Sequence, residues 1–352
     1  MKIKLLILEK DEIYLKRITD VFNNKYTNAL EVYSFTNKER ALLCLKESAI
    51  DVALISDLYS IEDEGIPNRC GIAYFVNNSE IETINGRKAI YKFSQIEVIY
   101  KHILSVYAEN APEMKKKLNN NIGAKIINFI PVSGGVGSST MSVAFAKYMA
   151  IRGKRVCYLN MEELGITEKY FYGEGENNIG DIIYAIKSKK SNLSLKIKSI
   201  VKKDTSGVDF FESSKRALDM KELSEEELIL LLHEIEALDE YEYIILDSDF
   251  SLNKKAIEIL KESTYIILTS DGSEVSNNKF GRAYEAFLII EQQEDMDLVG
   301  KMKLVYNKFR SKTSSQIESQ IEIIGGVPKY EGATERRIIE QICHMDIFDK
   351  IS

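Results

Sequence analysis

Eight residues, Ser133-Gly-Gly-Val-Gly-Ser-Ser-Thr140, restrict the fold of this chain more than any other stretch of it. They follow the apolar run KIINFIPV and open SSTMSVAFAKYMAIRGK, a helical pattern closed by Gly153. A glycine-rich turn between a buried strand and a helix points backbone N–H groups at one spot. The helix dipole adds to their field, so the combination suits a phosphate. Loops of this kind usually end G-K-[ST], with lysine on the β- and γ-phosphates and the hydroxyl on magnesium. Here Ser138 stands in the lysine's place and Ser139 supplies the hydroxyl. The loop therefore predicts a nucleotide cradled by Gly134, Gly135, Val136, Gly137, Ser138, Ser139 and Thr140. A tight turn without a ligand is the alternative.

An acidic partner for the loop stands further along. Asp247 closes the apolar run EYEYIILD, and an aspartate at such a strand end suits a magnesium shared with Ser139. RVCYLNM, STYIILTSD and KMKLVYNKF read as further buried strands. SEEELILLLHEIEALDEY and EVSNNKFGRAYEAFLIIEQ read as helices between them. Strands alternating with helices predict a doubly wound, mostly parallel sheet over residues 124–352, with the ligand at the carboxyl ends of its strands.

A chain of 352 residues is long enough for two domains, and residues 1–108 show the same α/β alternation. IKLLIL, LEVYSF, DVALIS, GIAYFVNN and KAIYKF read as strands. KDEIYLKRITDVFNNK, NKERALLCLKES and QIEVIYKHILSVYAE read as helices. Between the two segments ENAPEMKKKLNNNIG, residues 109–123, is polar and is the expected linker. The formal net charge of -7 disfavours nucleic acid as a partner. No apolar stretch approaches the roughly 20 residues that span a bilayer. The first residues lack the signature of a secretory signal. Four scattered cysteines and three histidines offer no zinc or cluster spacing. These features predict a cytoplasmic protein with reduced thiols.

The first segment resembles the receiver domain of response regulators. That resemblance implies an acidic cluster after strand one, a phosphoacceptor aspartate after strand three and a lysine after strand five. The cluster reads Glu9-Lys10-Asp11, and a lysine within a magnesium pocket opposes the metal. Ser56 falls on the phosphoacceptor position and Asp57 one beyond it. Lys92 fits the lysine, with Phe93 where proline is expected. The expectation is a pseudo-receiver kept for its surface, with phosphorylation of Asp57 as the alternative.

The second segment, from about Lys125 to Ile351, resembles the MinD/ParA group of deviant P-loop ATPases, whose loop reads K-G-G-x-G-K-[ST]-[ST]. The pilus-assembly branch, TadZ or CpaE, joins a receiver-like domain to an ATPase domain whose loop ends G-S-S-T, and this chain resembles that branch in both respects. The resemblance implies an α/β protein of two doubly wound domains, a CheY-like receiver-type domain and a MinD/ParA-type P-loop domain. It implies ATP and Mg2+ as cofactors, Asn307 at the adenine edge and the backbone around Pro328 along the base. Asn160 and Glu162 stand where the group has D-x-D. It further implies a homodimer, partners in the Tad pilus machinery and a place at a cell pole.

Both lysines of the group's loop are gone, replaced by Ser133 and Ser138. A cation about 4 Å from a phosphate charge contributes roughly 4 kcal/mol at an effective dielectric near 20, less where water and magnesium screen it. The loop's N–H groups, the dipole, magnesium and the base contacts remain. Phosphoryl transfer depends more steeply on cations that meet the transition-state charge. The expectation is an ATP-binding scaffold and localisation factor with weak or no hydrolysis. Two alternatives stand beside it. One is an ATPase switch in which Lys147, Lys154, Lys169 or Arg216 restores the charge. Lys147, about two turns into the helix, would point away. The other is a nucleotide-free interaction protein. RRIIEQICHMDIFDKI is short and mixed in charge, which predicts a helix packed on the sheet and no direct membrane insertion.

Overall fold

The apolar runs form strands in two separate sheets. The computed structural model of the chain describes residues 2–61, 66–67, 70–110, 123–190, 192–317 and 320–351. The expected linker at 109–123 lies, apart from its ends, outside the described residues. The chain divides into two compact units, Met1–Leu118 with Ala185–Ile200, and Asn119–Tyr184 with Val201–Ser352.

The first unit holds β1 (Ile3–Leu8), α1 (Glu12–Lys25), β2 (Leu30–Phe35), α2 (Lys38–Glu47), β3 (Val52–Ser56), β4 (Gly71–Val76), β5 (Thr83–Ile84), β6 (Arg87–Tyr91) and α3 (Ile96–Asn110). Its sheet runs β2-β1-β3-β4-β6-β5, parallel except for the β5–β6 hairpin. Every residue of β3 and β4 is buried, as in a parallel sheet covered on both faces. The hairpin turns through Asn85 and Gly86 at φ 50° and 74°, the pair of left-handed residues that a tight two-residue hairpin needs.

Helix α3 is buried from Ile103 to Ala108 without a break. Six consecutive residues cannot lie on one face of a helix, so α3 is covered on both sides. One side lies on β3 and β4. The other takes α6 (Leu193–Ile200), a helix that arrives from much later in the sequence. The Lys196 Nζ donates to Ser105 Oγ at 3.0 Å, and Leu195 joins the apolar cluster of α3.

The second unit is built around β7 (Lys125–Pro131), α4 (Ser138–Ile151) and β8 (Val156–Asn160). There follow α5 (Ile179–Lys187), β9 (Lys202–Lys203), β10 (Asp209–Phe210), α7 (Asp219–Glu222), α8 (Glu225–Glu236), β11 (Tyr243–Asp247) and α9 (Lys254–Glu262). The unit closes with β12 (Tyr265–Ser270), α10 (Glu274–Glu294), β13 (Met302–Phe309), β14 (Glu322–Pro328) and α11 (Glu335–Ile342). The sheet order is β14-β13-β12-β7-β11-β8-β10-β9, parallel except for β9 at the edge. Strand β7 sits between β11 and β12, and the chain leaves it to opposite sides, which is where a doubly wound sheet opens a crevice. Helix α4 is buried along nearly its whole length. The sheet covers one side and α11 the other. The C-terminal helix thus packs mainly on α4 rather than on the sheet. The turn after it sets Phe348 edge-on against Phe145 and Tyr148.

Candidate functional site

The loop between β7 and α4 owes its shape to two left-handed glycines, Gly135 at φ 78° and Gly137 at φ 84°. A Cβ at Gly137 would also meet Asn307 Nδ2 at 2.4 Å, so this glycine is required for space as well as conformation. Nothing stands within 4 Å of a Cβ at Gly134 or Gly135, which leaves that face of the loop open. Helix α4 starts without a side-chain cap or an acidic residue in its first turn. Its N-terminal donors and dipole suit an anion.

The hydroxyls along the loop are engaged by neighbours. Ser133 Oγ lies 2.7 Å from Ser276 Oγ, in a cluster with Ser273 and Asp271 at the start of α10. Ser138 is buried and accepts from Thr269 Oγ1 at 3.4 Å. Ser139 Oγ lies 3.4 Å from Glu162 Oε1. Thr140 Oγ1 donates to Glu335 Oε1 at 3.0 Å, and Glu335 also pairs with Lys169. The two positions where a lysine would reach phosphate therefore present no charge.

Asp247 ends β11 in register with Phe129 of β7 and Asn160 of β8. Its Oδ2 accepts from Tyr158 at 2.7 Å, while its Oδ1 is buried with no hydrogen-bond partner. Burial, with the Glu162 charge second, raises its pKa to about 7. Burial and Asp249 raise that of Glu162 as well. A buried carboxylate with an unused oxygen near the Ser139 hydroxyl in the helix's first turn fits the site of a small hard cation. Among the described residues no group of three or more His, Cys, Asp or Glu could hold a metal by itself. An ion here would share its ligands with a phosphate, as Mg2+ does. Asn160 accepts from the Glu162 N–H at 2.9 Å and so shapes the turn that carries Glu162.

On the other side of the loop, Asn307 is buried, and its Nδ2 donates to Val136 O at 2.9 Å and Gly137 O at 3.3 Å. Pro328 ends β14 and lines a cavity of about 770 Å3 with Tyr306, Phe309, Arg310 and Lys329. Of the four cations weighed from the sequence, Lys169 lies beside the loop but is paired with Glu335, and the other three are engaged elsewhere. Lys147 lies over the Phe171 ring at 5.4 Å, Lys154 pairs with Glu242 at 3.1 Å, and Arg216 pairs with Asp219 at 3.6 Å. Three further residues at the site escaped the sequence reading. Tyr158 holds Asp247, Glu335 holds Thr140, and Lys308 donates to Gly135 O at 2.7 Å. Adjacency to Asn307 was the only available signal for Lys308.

The first unit's pocket is spent on its own structure. Asp11 caps α1 through Ile13 and Tyr14. Glu9 is buried with its Oε2 3.7 Å from Lys92 Nζ. Lys10 lies over the Tyr59 ring at 5.1 Å. Ser56 is buried at the end of β3, and Asp57 beside it is exposed.

Residues 1–108 match the family described as TadZ-like, receiver domain, and residues 124–299, half of the chain, match the AAA domain family. No curated protein matches. Among solved structures, a ParA family ATPase of Chlorobium tepidum TLS is 18% identical with a TM-score of 0.50, covering 65% of this chain and 96% of its own. A Borrelia burgdorferi B31 chain assigned as a plasmid partition protein, crystallised with AMPPNP, is 19% identical with a TM-score of 0.50. That match covers 65% of this chain and 100% of the other. At these identities the likeness is one of fold: an α/β unit with a mostly parallel sheet and a P-loop, preceded here by a receiver-like unit.

Proposed function

Because the chain belongs to the AAA domain family in its MinD/ParA-type form, with a TadZ-like receiver domain ahead of it, we propose that it is a Tad-associated, ParA-like protein that holds MgATP as a structural ligand and hydrolyses it slowly or not at all. The observation that carries this reading is the contrast within one loop. Its open glycines, its uncapped helix and the unpartnered Asp247 oxygen suit a nucleotide phosphate with its metal. Ser133 and Ser138 are tied to neighbouring hydroxyls where the hydrolytic relatives place cations.

Ser139 and Asp247 would hold Mg2+, which supplies positive charge against the phosphate oxygens. Gly134 to Thr140 bind the phosphates through N–H groups, and the cavity lined by Pro328 takes the base, with Asn307 bracing the loop beside it. Glu162, its proton affinity raised, sits within reach of Ser139 and orients that hydroxyl. Nothing at the loop ends meets charge that develops on a transferred phosphoryl group, so turnover lacks its main stabilising term. In this reading ATP fixes one conformation and a homodimer surface for partners of the Tad pilus machinery at a cell pole. The receiver-like domain serves as a docking module. Among the described residues no helix is long and apolar enough to cross a membrane.

Titration calorimetry with MgATP, paired with a phosphate-release assay on the same preparation, tests the proposal. The expected result is saturable binding with turnover orders of magnitude below that of a hydrolytically active MinD relative. Turnover comparable to such a relative would refute it, and the absence of binding would favour a nucleotide-free interaction protein.

A further inference from the structure

Strand β13 delivers two adjacent residues to the loop, and only one of them is charged. The pairing of β13 with β14 shifts register between Tyr306 and Phe309, which breaks the strict alternation of side chains there. Asn307 and Lys308 consequently both reach the same short loop. Asn307 takes the carbonyls of Val136 and Gly137, and Lys308 Nζ takes that of Gly135 at 2.7 Å. The Lys308 Cε passes 3.4 Å from the Cβ position of Gly137. The lysine does this from a left-handed backbone at φ 58°, a conformation that residues with a Cβ adopt at a cost. Its side chain is exposed, and among the described residues no carboxylate lies within ion-pair distance of it, although its charge helps hold the Glu335 carboxyl below the usual range. One carbonyl uses one of the three ammonium donors, and two remain.

We infer that Lys308 is the phosphate-binding cation of this site, supplying from β13 the charge that Ser133 and Ser138 do not supply from the loop. The inference rests on the reading that the loop binds a nucleotide. The other basic side chains weighed for the role are engaged with Phe171, Glu242, Glu335 and Asp219. Lys308 is the cation that already touches the loop. The left-handed backbone and the register shift bring it to the loop. A cation held on a strand beside the loop adds to the binding of the phosphates already in place. It does not sit at either loop end, where the relatives place theirs, so it preserves affinity without restoring fast transfer.

The test uses the full chain with Lys308→Asn and Lys308→Arg. Asparagine tolerates the left-handed backbone, so that variant keeps the fold while losing the charge. Affinities for MgATP and for adenosine are measured by calorimetry, with the unliganded melting temperature as a control on folding. Lys308→Asn is expected to weaken MgATP binding about tenfold or more, a Coulomb contribution reduced by exposure, and to leave adenosine within about twofold. Lys308→Arg is expected to stay within about threefold of the wild type. MgATP binding by Lys308→Asn equal to the wild type overturns the inference, as does an equal loss of MgATP and adenosine, which would mark a structural role. If the wild-type chain itself fails to bind MgATP, the nucleotide reading falls, and the role of Lys308 with it.

Discussion

The two oxygens of Asp247 have unequal fates: one accepts from Tyr158, and the other is buried without a partner. With the pKa raised to about 7 in the fold and near 3.9 in an unfolded chain, the folded state binds more protons between those values. Stability of the unliganded protein from this group is therefore greatest below about pH 4 and falls as pH rises toward 7. Asp247→Asn removes the titration. We expect its melting temperature to exceed that of the wild type by a margin that opens between about pH 4 and pH 7, with the stabilisation by MgATP lost. A margin constant with pH would contradict the assignment. Asp247 and Ser139 were legible because a strand-end aspartate and a hydroxyl after a glycine loop are recognisable in one dimension. Tyr158 was not, because its reach to Asp247 depends on how β8 and β11 pair in register. Lys308 was invisible for another reason: a lysine gives no hint of a positive φ.

Among the elements, β4 and α3 show how closely the first unit is packed. A Cβ on Gly71 would meet Val106 Cγ1 at 2.6 Å, Asn110 Nδ2 at 2.8 Å and a backbone oxygen at 3.0 Å. Gly71→Ala should cost about 1–3 kcal/mol through overpacking, read as a drop in denaturant midpoint without a change in slope. On the opposite face of α3, Leu195 of α6 joins its apolar cluster while partly exposed, and Leu195→Ala should cost about 2 kcal/mol in the first unit's transition. An effect confined to the second unit's transition would show that α6 packs elsewhere. The long strands were legible as apolar runs, and α3 as an apolar helix. Its second cover was not, since α6 lies far along the sequence and nothing in LSLKIKSI names its partner. The two-residue strands β9 and β10 were equally hidden, being too short for any periodicity.

For the molecule as a whole, one buried group in each unit responds to acid in the opposite sense to the other. His102 of α3 is half-buried with its Nδ1 shielded from solvent, and that burial, with Lys88 and Lys196 nearby, lowers its pKa to about 3. Between that value and about 6.5 the unfolded chain binds the extra proton, so stability from this group is present above about pH 6.5 and is lost as pH falls toward 3. Asp247 in the second unit has the opposite slope over an overlapping window. Calorimetry from pH 7.5 to pH 5 should show one transition moving down while the other holds or rises. His102→Gln should flatten the first. Movement of both transitions in the same direction would count against the assignment.

The place of α6 also bears on how the chain is made. Helix α3 is complete at Asn110, but its second cover ends at Ile200, about 90 residues later. At a synthesis rate of about 5–20 residues per second, the nascent first unit waits on the order of 5–20 s with an apolar helix face uncovered. The order of translation is therefore not the order of completion. A ribosome-bound chain stopped before Leu193 should be a better substrate for holdase chaperones, and more readily cleaved by protease, than one released after Ile200.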